Sequence, residues 1–373
     1  MTKRAISTLA ERNRVYGAFL DRLKTGSGFL VSGHRDPDAD CIATMLGVAL
    51  LARKAHKPAT LLIGGSIPEN LQYLLTIAEY NRIAINTIPV ASTDTLVLCD
   101  TAKPSLLPED SILARALENP EVQVFEIDHH LGGDSAYLAP QEHALVDHAS
   151  SSGSLLARLV CKIDTTEAIE DVYSRNLVIA LLTAMMSDTQ MGRVLPSRRE
   201  ARIYHRLIRM LGGVLERSTF SPDKFDSIET LYAEMVRLSK DEEQLDNAFI
   251  SRHHLDGVLA WIALDQAESI RLLQEYGEDN VKAAARRVTD RMTGISGKIG
   301  MVCYFDDRGL IQCRMRREYG YEGIDLREVI PIAGAPDGGG HPGAIGFRYP
   351  QDQVPDYDAL VRRLISVAAS LSG

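Results

Sequence analysis

The chain has few cysteines, and their spacing fits no familiar cross-link. They are odd in number, widely separated and without a C-x-x-C pair: Cys41, Cys99, Cys161, Cys303 and Cys313. A disulfide scaffold needs an even set of cysteines, and a thiolate zinc site needs closely spaced ones. The pattern argues against both. It indicates reduced thiols packed as small apolar groups, as is typical of a cytoplasmic protein.

A long hydrophobic run and an excess of basic residues are also missing. The longest membrane-like stretch, 177–186, is far shorter than the roughly 20 residues that span a bilayer. We therefore expect no membrane role. Lys and Arg number 41 against 50 Asp and Glu, which gives a formal net charge of -9. Because a protein that grips long nucleic acid needs a basic surface, we expect no long nucleic acid as a partner, and any nucleotide substrate should be small.

The length and the pattern of the chain indicate two domains. The 373 residues are too many for one ordinary domain. In the first half, apolar runs alternate with amphipathic segments, which is typical of a mostly parallel α/β sheet covered by helices on both faces. We predict this α/β domain over 1–217, a polar linker with one helix (228–238) over 218–247, and a smaller C-terminal α/β domain over 248–373, with a cleft between the domains.

Local signals place the individual elements. The apolar runs predict strands at 29–31, 61–63, 96–99, 122–127, 258–264, 299–305 and 310–315. A helix should begin at Cys41 with Asp40 as its N-cap. Another helix is expected over 199–211, ended by the following glycines. The sequence 307–309, Asp-Arg-Gly, predicts a hairpin turn in the second domain.

Acidic and imidazole side chains recur where the apolar runs of the first domain end. The six that we expect to converge are His34, Asp38, Asp40, Asp100, His129 and Asp188. Each alone could be a helix cap, a turn residue or part of a solvated loop. Ligands bind beyond the carboxyl ends of parallel strands, and carboxylates so close together repel unless a cation neutralises them. The sequence therefore predicts a binuclear site, with manganese or magnesium favoured over thiolate-bound zinc.

The second domain contains a glycine run followed by a histidine. Gly339 and Gly340 precede His341, and glycines let backbone N–H groups approach an anion closely. Arg314 and Arg316 share one face of a predicted strand and could each bind phosphate in a bidentate manner. The alternatives are a flexible glycine loop and an edge strand with solvated arginines.

Taken together, these motifs resemble the DHH phosphoesterase superfamily with its DHH-associated C-terminal domain. His34-x-x-Pro37-Asp38-x-Asp40 is similar to the first family motif, and Asp100 is similar to the second. Asp128-His129-His130 resembles the third motif, which names the family, and Asp188-Thr189 resembles the fourth. The run 338–341 resembles the glycine-histidine motif of the C-terminal domain.

The resemblance implies two Mn²⁺ ions, with Mg²⁺ as an alternative. It places His34, Asp38 and Asp100 on one ion and Asp40, Asp100, His129 and Asp188 on the other, so that Asp100 bridges them. It also implies that His130 lies near the substrate phosphate, and that His341 with Arg314 or Arg316 holds the substrate. Arg316-Arg317 stand where the family has Arg-Ser, so both arginines stay candidates.

Length and motifs are similar to the nanoRNase and pAp-phosphatase branch and to stand-alone cyclic dinucleotide phosphodiesterases. The resemblance therefore implies hydrolysis of pApA, pGpG or short RNA to nucleoside monophosphates, with pAp phosphatase activity as an addition. Hydrolysis of cyclic di-AMP is one alternative, and a nucleotide sensor without catalysis is another. The expected location is the cytoplasm, and the pattern is compatible with a homodimer.

Overall fold

The computed structural model of the protein describes residues 2–133, 135–166, 168–189, 192, 195–215 and 223–372. These residues divide into two compact units, Met1–Arg237 and Leu238–Gly373. The boundary lies inside the segment 218–247 that the sequence indicates as a linker. Among the helices of these residues, none combines the length and the apolar character that crossing a bilayer requires.

The first unit is built on a parallel sheet whose spatial order is β3-β2-β1-β4-β5-β6. Its strands are β1 (Phe29–Gly33), β2 (Ala59–Leu62), β3 (Ala84–Ile85), β4 (Thr95–Cys99), β5 (Gln123–Asp128) and β6 (Ala144–Val146). The four longest of these strands are almost entirely buried, which explains why the sequence shows them as continuous apolar runs. The chain order reverses between β1 and β4, so loops after these two strands diverge there and leave a crevice.

Helices cover both faces of this sheet. They are α1 (Leu9–Thr25), α2 (Ala39–Lys54), α3 (Gln72–Tyr80), α4 (Ser111–Glu118), α5 (Ser152–Thr165), α6 (Arg175–Asp188), α7 (Arg198–Arg209) and α8 (Ile228–Met235). The larger core lies on the face that α2, α5 and α6 cover, whereas α4 packs on the opposite face. Helix α6 is apolar on all sides because it is enclosed by other elements rather than by lipid.

The second unit has its own sheet, in the order β11-β12-β10-β9-β8-β7. Its strands are β7 (His254–Asp256), β8 (Leu259–Ala263), β9 (Ile299–Phe305), β10 (Leu310–Arg317), β11 (Asp337–His341) and β12 (Ala344–Pro350). Its helices are α9 (Lys240–Ile250), α10 (Gln266–Tyr276), α11 (Glu278–Ser296), α12 (Val329–Ile332) and α13 (Tyr357–Leu371). Only β8 and β9 pair in parallel among the described strands of this unit, because two helices connect them.

The predicted fold class is confirmed: a parallel sheet flanked by helices, followed by a second α/β unit. The hairpin expected at 307–309 joins β9 and β10, and Gly309 has a positive φ of 75° there. The predicted helix over 199–211 is α7, and it continues into a wider turn over Met210–Val214.

Three local expectations differ from the structure. The N-cap of α2 is Asp38, whose carboxylate accepts a hydrogen bond from the Cys41 N–H at 3.1 Å, whereas Asp40 lies inside the helix. The glycine run is not a loop but strand β11, because its backbone pairs with β12 along five residues. The polar segment carries α8 and the beginning of α9 rather than one helix, since Ser227 and Ser239 each form a capping box.

Helices α5 and α6 approach each other closely at Gly153. A Cβ atom at this position would lie 2.2 Å from the Cβ of Ala184 and 3.2 Å from Oδ1 of Asp40. The absence of a side chain therefore allows the N-terminus of α5 to reach both α6 and the buried carboxylate. The packing here fixes the position of Asp40 as well as the core.

Substitution of Gly153 by alanine is expected to destabilise the protein. The overpacking should lower the free energy of unfolding by about 1–3 kcal/mol, measured by urea denaturation. Gly17→Ala is the matched control, because Gly17 lies in α1 with no neighbouring atom within 4 Å of an added Cβ. That change should raise the stability by roughly 0.5–1 kcal/mol. Equal behaviour of the two variants would contradict the close packing of α5 on α6.

Candidate metal centre

The acidic and imidazole side chains predicted from the sequence come together at one edge of the first sheet. His34 and Asp38 follow β1, Asp100 follows β4, and His129 follows β5. These strands are neighbours, and their carboxyl ends lie where the strand order reverses. The parallel register therefore carries residues that are far apart in the sequence to the same edge.

A cavity of about 220 Å³ opens at this edge. Its lining consists of His34, Asp38, Asp100, Ala102, Leu106, His129, His130 and Asp188. Six of these eight residues carry a carboxylate or an imidazole. The cavity therefore gathers ionisable side chains next to the apolar core of the sheet.

Asp100 occupies the centre of the group. Its Oδ2 atom lies 3.7 Å from Nε2 of His34, and its Oδ1 atom lies 3.5 Å from Nε2 of His129. The hydroxyl of Ser152 donates a hydrogen bond to Oδ1 at 2.9 Å. Burial alone would raise the pKa of Asp100, but the hydrogen bonds from His129 and His34 outweigh burial and hold it well below its usual range. Asp100 is thus a buried carboxylate that remains ionised.

Asp40 is fully buried at the N-terminus of α5. Its Oδ2 accepts a hydrogen bond from the Ser152 N–H at 2.7 Å, and its Oδ1 accepts one from the Gly153 N–H at 2.9 Å. A helix N-terminus favours negative charge. Even so, burial and the nearby carboxylates of Asp100 and Asp188 raise the pKa of Asp40 well above its ordinary value.

His129 and Asp188 complete a second group of potential ligands with Asp40, whose ligand atoms all lie within 4.8 Å of one another. Nε2 of His129 is 3.4 Å from Oδ2 of Asp188. Burial lowers the pKa of His129, but the surrounding carboxylates outweigh it and raise this pKa to about 10. Burial raises the pKa of Asp188 to about 6.

Asp38 and Cys41 stand apart from the other members. Asp38 approaches the group through His34, whose Nε2 is 3.9 Å from its Oδ1, while the same oxygen caps α2. Cys41 could supply a sulfur atom beside His34 and Asp100. Burial, followed by the charge of Asp100, raises the pKa of this thiol well above its usual range, so it stays protonated and is a poor ligand.

The residues of the cavity fit a divalent cation. The pKa values of Asp40, His129 and Asp188 are all raised, which means that added positive charge stabilises the site. Protons supply this charge in the absence of a cation. Carboxylate oxygens suit both manganese and magnesium, and the lack of an ionised thiol among the donors argues against a thiolate-bound zinc site. Three groups of ligand atoms are linked through Asp100 and His129, so the arrangement can accommodate more than one ion. They are His34 with Cys41 and Asp100, Asp100 with His129 and His130, and Asp40 with His129 and Asp188.

A second network behind the cavity was not expected from the sequence. Nδ1 of His130 lies 2.7 Å from Oδ1 of Asp128, and the ammonium of Lys3 lies 2.5 Å from Oδ2 of the same carboxylate. Lys3 also pairs with Glu126 at 2.5 Å. Burial would raise the pKa of Asp128, but the His130 hydrogen bond and the Lys3 charge together lower it. Asp128 therefore acts as a buried anion that holds His130.

Three of the candidate residues of the second unit, Arg314, Arg316 and Gly339, lie on one face of its sheet. Arg314 of β10 is opposite Gly346 of β12, which is opposite Gly339 of β11. An added Cβ at Gly339 or Gly346 would meet no atom within 4 Å, so this row is open beside the arginine. Gly340 has a positive φ of 144°, and the side chain of His341 lies outside the described part of the structure.

The two candidate arginines differ in their partners. Arg316 forms an ion pair with Asp290 at 3.0 Å. Arg314 makes no hydrogen bond or ion pair with the residues that the structure describes, and burial together with the charge of Arg286 lowers its pKa. Arg314 is thus the half-buried cation that retains its capacity to bind an anion.

Part of the first unit is similar to a known protein family. Residues 28–186 match the family described as DHH family, N-terminal domain. Among curated relatives, the cyclic-di-AMP phosphodiesterase PdeA of Listeria monocytogenes is 27% identical over 189 residues, and GdpP of Bacillus subtilis, named for the same activity, is 28% identical over 195 residues. Each match covers 48% of this chain but 27% of the relative, so the chain spans about a quarter of those proteins.

Among solved structures, an exopolyphosphatase-related protein from Bacteroides fragilis shares the fold. It superposes with a TM-score of 0.68 at 16% identity and covers 96% of this chain and 97% of its own. A likeness at this level of identity extends to the architecture and not to the substrate. The fold resemblance covers both units.

Replacement of Asp100 by asparagine should impair cation binding. We expect wild-type protein to bind two Mn²⁺ ions per chain in calorimetry, and Asp100→Asn to bind them about 10–100-fold more weakly, because the central anionic oxygen is lost. Asp36→Asn is the control: this residue lies in the same loop with 89% of its side chain exposed. Unchanged binding by Asp100→Asn would show that Asp100 is not a ligand.

The metal-free protein should lose stability as the pH rises. The pKa of His129 is about 10 in the folded chain against an ordinary value of 6.5, so its stabilising proton is fully present below pH 6.5 and is lost towards pH 10. Asp188, whose pKa is raised to about 6 from an ordinary value of 3.8, lowers the stability only between those two pH values, so the fall above pH 6.5 comes from His129. Thermal denaturation in EDTA should therefore give a falling Tm between pH 6.5 and 9. Mn²⁺ should raise Tm more at pH 8.5 than at pH 6.5, whereas a Tm that rises with pH in EDTA would contradict the charge balance.

Proposed function

We propose that the chain is a Mn²⁺-dependent phosphodiesterase of small nucleotides, which cleaves linear dinucleotides such as pApA or pGpG, or short RNA, to nucleoside monophosphates. The observation that carries the proposal is the set of three ligand groups that are linked through Asp100 and His129, two residues that line one cavity. A volume of about 220 Å³ suits one phosphodiester with its cations, whereas the bases and sugars must lie outside it. The site therefore acts on the phosphodiester group itself.

The ligands divide into two sets that share Asp100. His34, Asp38 and Asp100 would hold one ion, and the buried group of Asp40, His129 and Asp188 would hold the other with Asp100. When bound, such ions lower the pKa of water and neutralise charge on the phosphate during displacement. Mg²⁺ is the alternative to Mn²⁺, because both accept these donors.

His130 has a separate role in this proposal. Its Nδ1 is engaged by Asp128, so its Nε2 is the nitrogen that remains free to face the substrate. The side chain is 42% exposed at the cavity, more than those of His34 and His129. We assign it to the reacting phosphate, where the unprotonated Nε2 of an imidazole oriented by Asp128 can accept a proton as a general base.

The second unit offers a surface for another part of the nucleotide. Arg314 has no internal partner among the described residues, and the side-chain-free row of Gly346 and Gly339 lies beside it. A guanidinium binds phosphate with two parallel hydrogen bonds, and glycines permit close approach of a flat or bulky ligand. We assign this row to the substrate, with Arg314 preferred to Arg316 because Asp290 already pairs with Arg316.

A cyclic di-AMP phosphodiesterase is the second candidate. The two curated relatives carry that activity in their names, and their likeness to this chain extends over 48% of it. Conversion of cyclic di-AMP would break one phosphodiester and give the linear dinucleotide. Both substrates are intracellular, and the five free cysteines suit a reducing cytoplasm.

A substrate panel separates these candidates. Purified protein with Mn²⁺ should convert pApA or pGpG to nucleoside monophosphates, with slower release of phosphate from pAp, as followed by chromatography. Asp100→Asn should lower kcat by about 10³-fold or more, because the cations supply several kcal/mol of transition-state stabilisation. Asp36→Asn should keep wild-type turnover.

The outcomes discriminate between functions. Faster turnover of cyclic di-AMP than of pApA would favour the second candidate. Tight nucleotide binding without turnover in Mn²⁺, Mg²⁺ or Co²⁺ would contradict an enzyme and indicate a nucleotide sensor. Full activity of Asp100→Asn would rule out the shared ligand.

A further inference from the structure

Lys3 is a buried lysine in the segment that precedes α1. Its side chain is 0% exposed, although lysine is rarely buried without several partners. The ammonium contacts three acceptors: Oδ2 of Asp128 at 2.5 Å, Oε1 of Glu126 at 2.5 Å and the carbonyl oxygen of Thr101 at 2.6 Å. The contacts with Asp128 and Thr101 are hydrogen bonds and the contact with Glu126 is an ion pair, and together they fix the position of the nitrogen atom.

The contact with Asp128 leads directly to the cavity. The two oxygens of this carboxylate are divided between Lys3, on Oδ2, and the imidazole Nδ1 of His130, on Oδ1. Lys3 therefore prevents the carboxylate from rotating away from the imidazole. A carboxylate that holds Nδ1–H selects the tautomer whose Nε2 is free and sets the direction of the ring.

The same ammonium also joins two strand ends. Thr101 follows Asp100 after β4, while Glu126 and Asp128 lie at the end of β5. The segment itself is tied down beside this junction, because the Gly132 N–H donates to the Lys3 carbonyl oxygen at 3.3 Å and the Ile6 N–H donates to that of Val146 at 3.1 Å. Lys3 thus lies between the turn that carries Asp100 and the loop that carries His130.

A purely structural role explains these contacts less well. A buried ion pair contributes little net stability relative to apolar residues of the same size, because desolvation offsets the attraction. Here two carboxylates share one ammonium, and the carboxylate nearer the cavity holds an imidazole that stays 42% exposed. Lys3 also lies outside the residues 28–186 that match the DHH family.

We propose that Lys3 is a positioning residue that acts through Asp128 to orient the imidazole of His130 toward the substrate. This role rests on the proposed phosphodiesterase function. It predicts that Lys3 affects the rate of the chemical step more than the binding of substrate or cations, because it touches neither the cavity nor the ligand groups.

A double-mutant cycle tests this coupling. With His130 present, Lys3→Met should lower kcat on pApA by about 10–100-fold and change KM by less than about 2-fold. In the His130→Asn background, the same substitution should change kcat by less than about 2-fold. An equal loss in both backgrounds would show a general structural effect and would overturn the proposal, as would unchanged kcat in Lys3→Met.

Two controls accompany the cycle. Arg4→Met removes a neighbouring positive charge from the same segment, where Arg4 pairs with Glu11 at 2.8 Å with 52% of its side chain exposed, and it should leave kcat unchanged. Lys3→Met leaves two buried carboxylates without their cation, so kcat is measured below the Tm of every variant. If Lys3→Met does not fold, Lys3→Arg replaces it, because a planar guanidinium cannot meet the three acceptors with the same geometry.

A readout without turnover separates this proposal from the proposed function. In ¹⁵N-histidine spectra of metal-free protein, the His130 resonances, assigned by their loss in His130→Asn, should report an Nδ1–H tautomer. Lys3→Met should shift them and Arg4→Met should not. If wild type hydrolyses no substrate but Lys3→Met shifts His130, the proposed function fails while the link stands. If wild type is active but the His130 resonances do not move, the proposal for Lys3 fails alone.

Discussion

The structure of the first unit depends on the balance of charge in one buried cavity. Asp38, Asp40, Asp100 and Asp188 bring four carboxylates to the edge of an apolar sheet, where burial and mutual repulsion both oppose ionisation. Three of these carboxylates have an identifiable source of compensating charge or hydrogen bonds. Imidazoles surround Asp100, backbone N–H groups of α5 hold Asp40, and Asp188 lies beside His129. A divalent cation would neutralise the remaining negative charge more fully than protons do.

The fold fixes the positions of the residues around this cavity. The strands that end at the site are buried along their length, so their carboxyl ends cannot shift without disturbing the core. Gly153 allows α5 to approach α6 and to present its first N–H groups to Asp40. The packing of α5 on α6 and the position of Asp40 are consequently coupled. A change in the core around α5 would also move this buried carboxylate.

The sequence predicts the candidate ligands of this site better than the residues that hold them in place. The strand-end positions of His34, Asp100 and His129 follow from the rule that parallel strands present their carboxyl ends together. The sequence pattern predicts the cap of α2 at Asp40, whereas the structure has it at Asp38. Both aspartates fit the pattern, and only the extended backbone of residue 38 decides between them. Lys3 has partners 98 and 125 residues away, and no local pattern reveals contacts at such distances.

Asp100 has a positive φ of 49°, which few residues with a side chain adopt without strain. Asparagine and glycine are the replacements that this backbone tolerates most readily. A change of Asp100 to asparagine would therefore remove the anionic oxygen while the turn after β4 kept its backbone conformation.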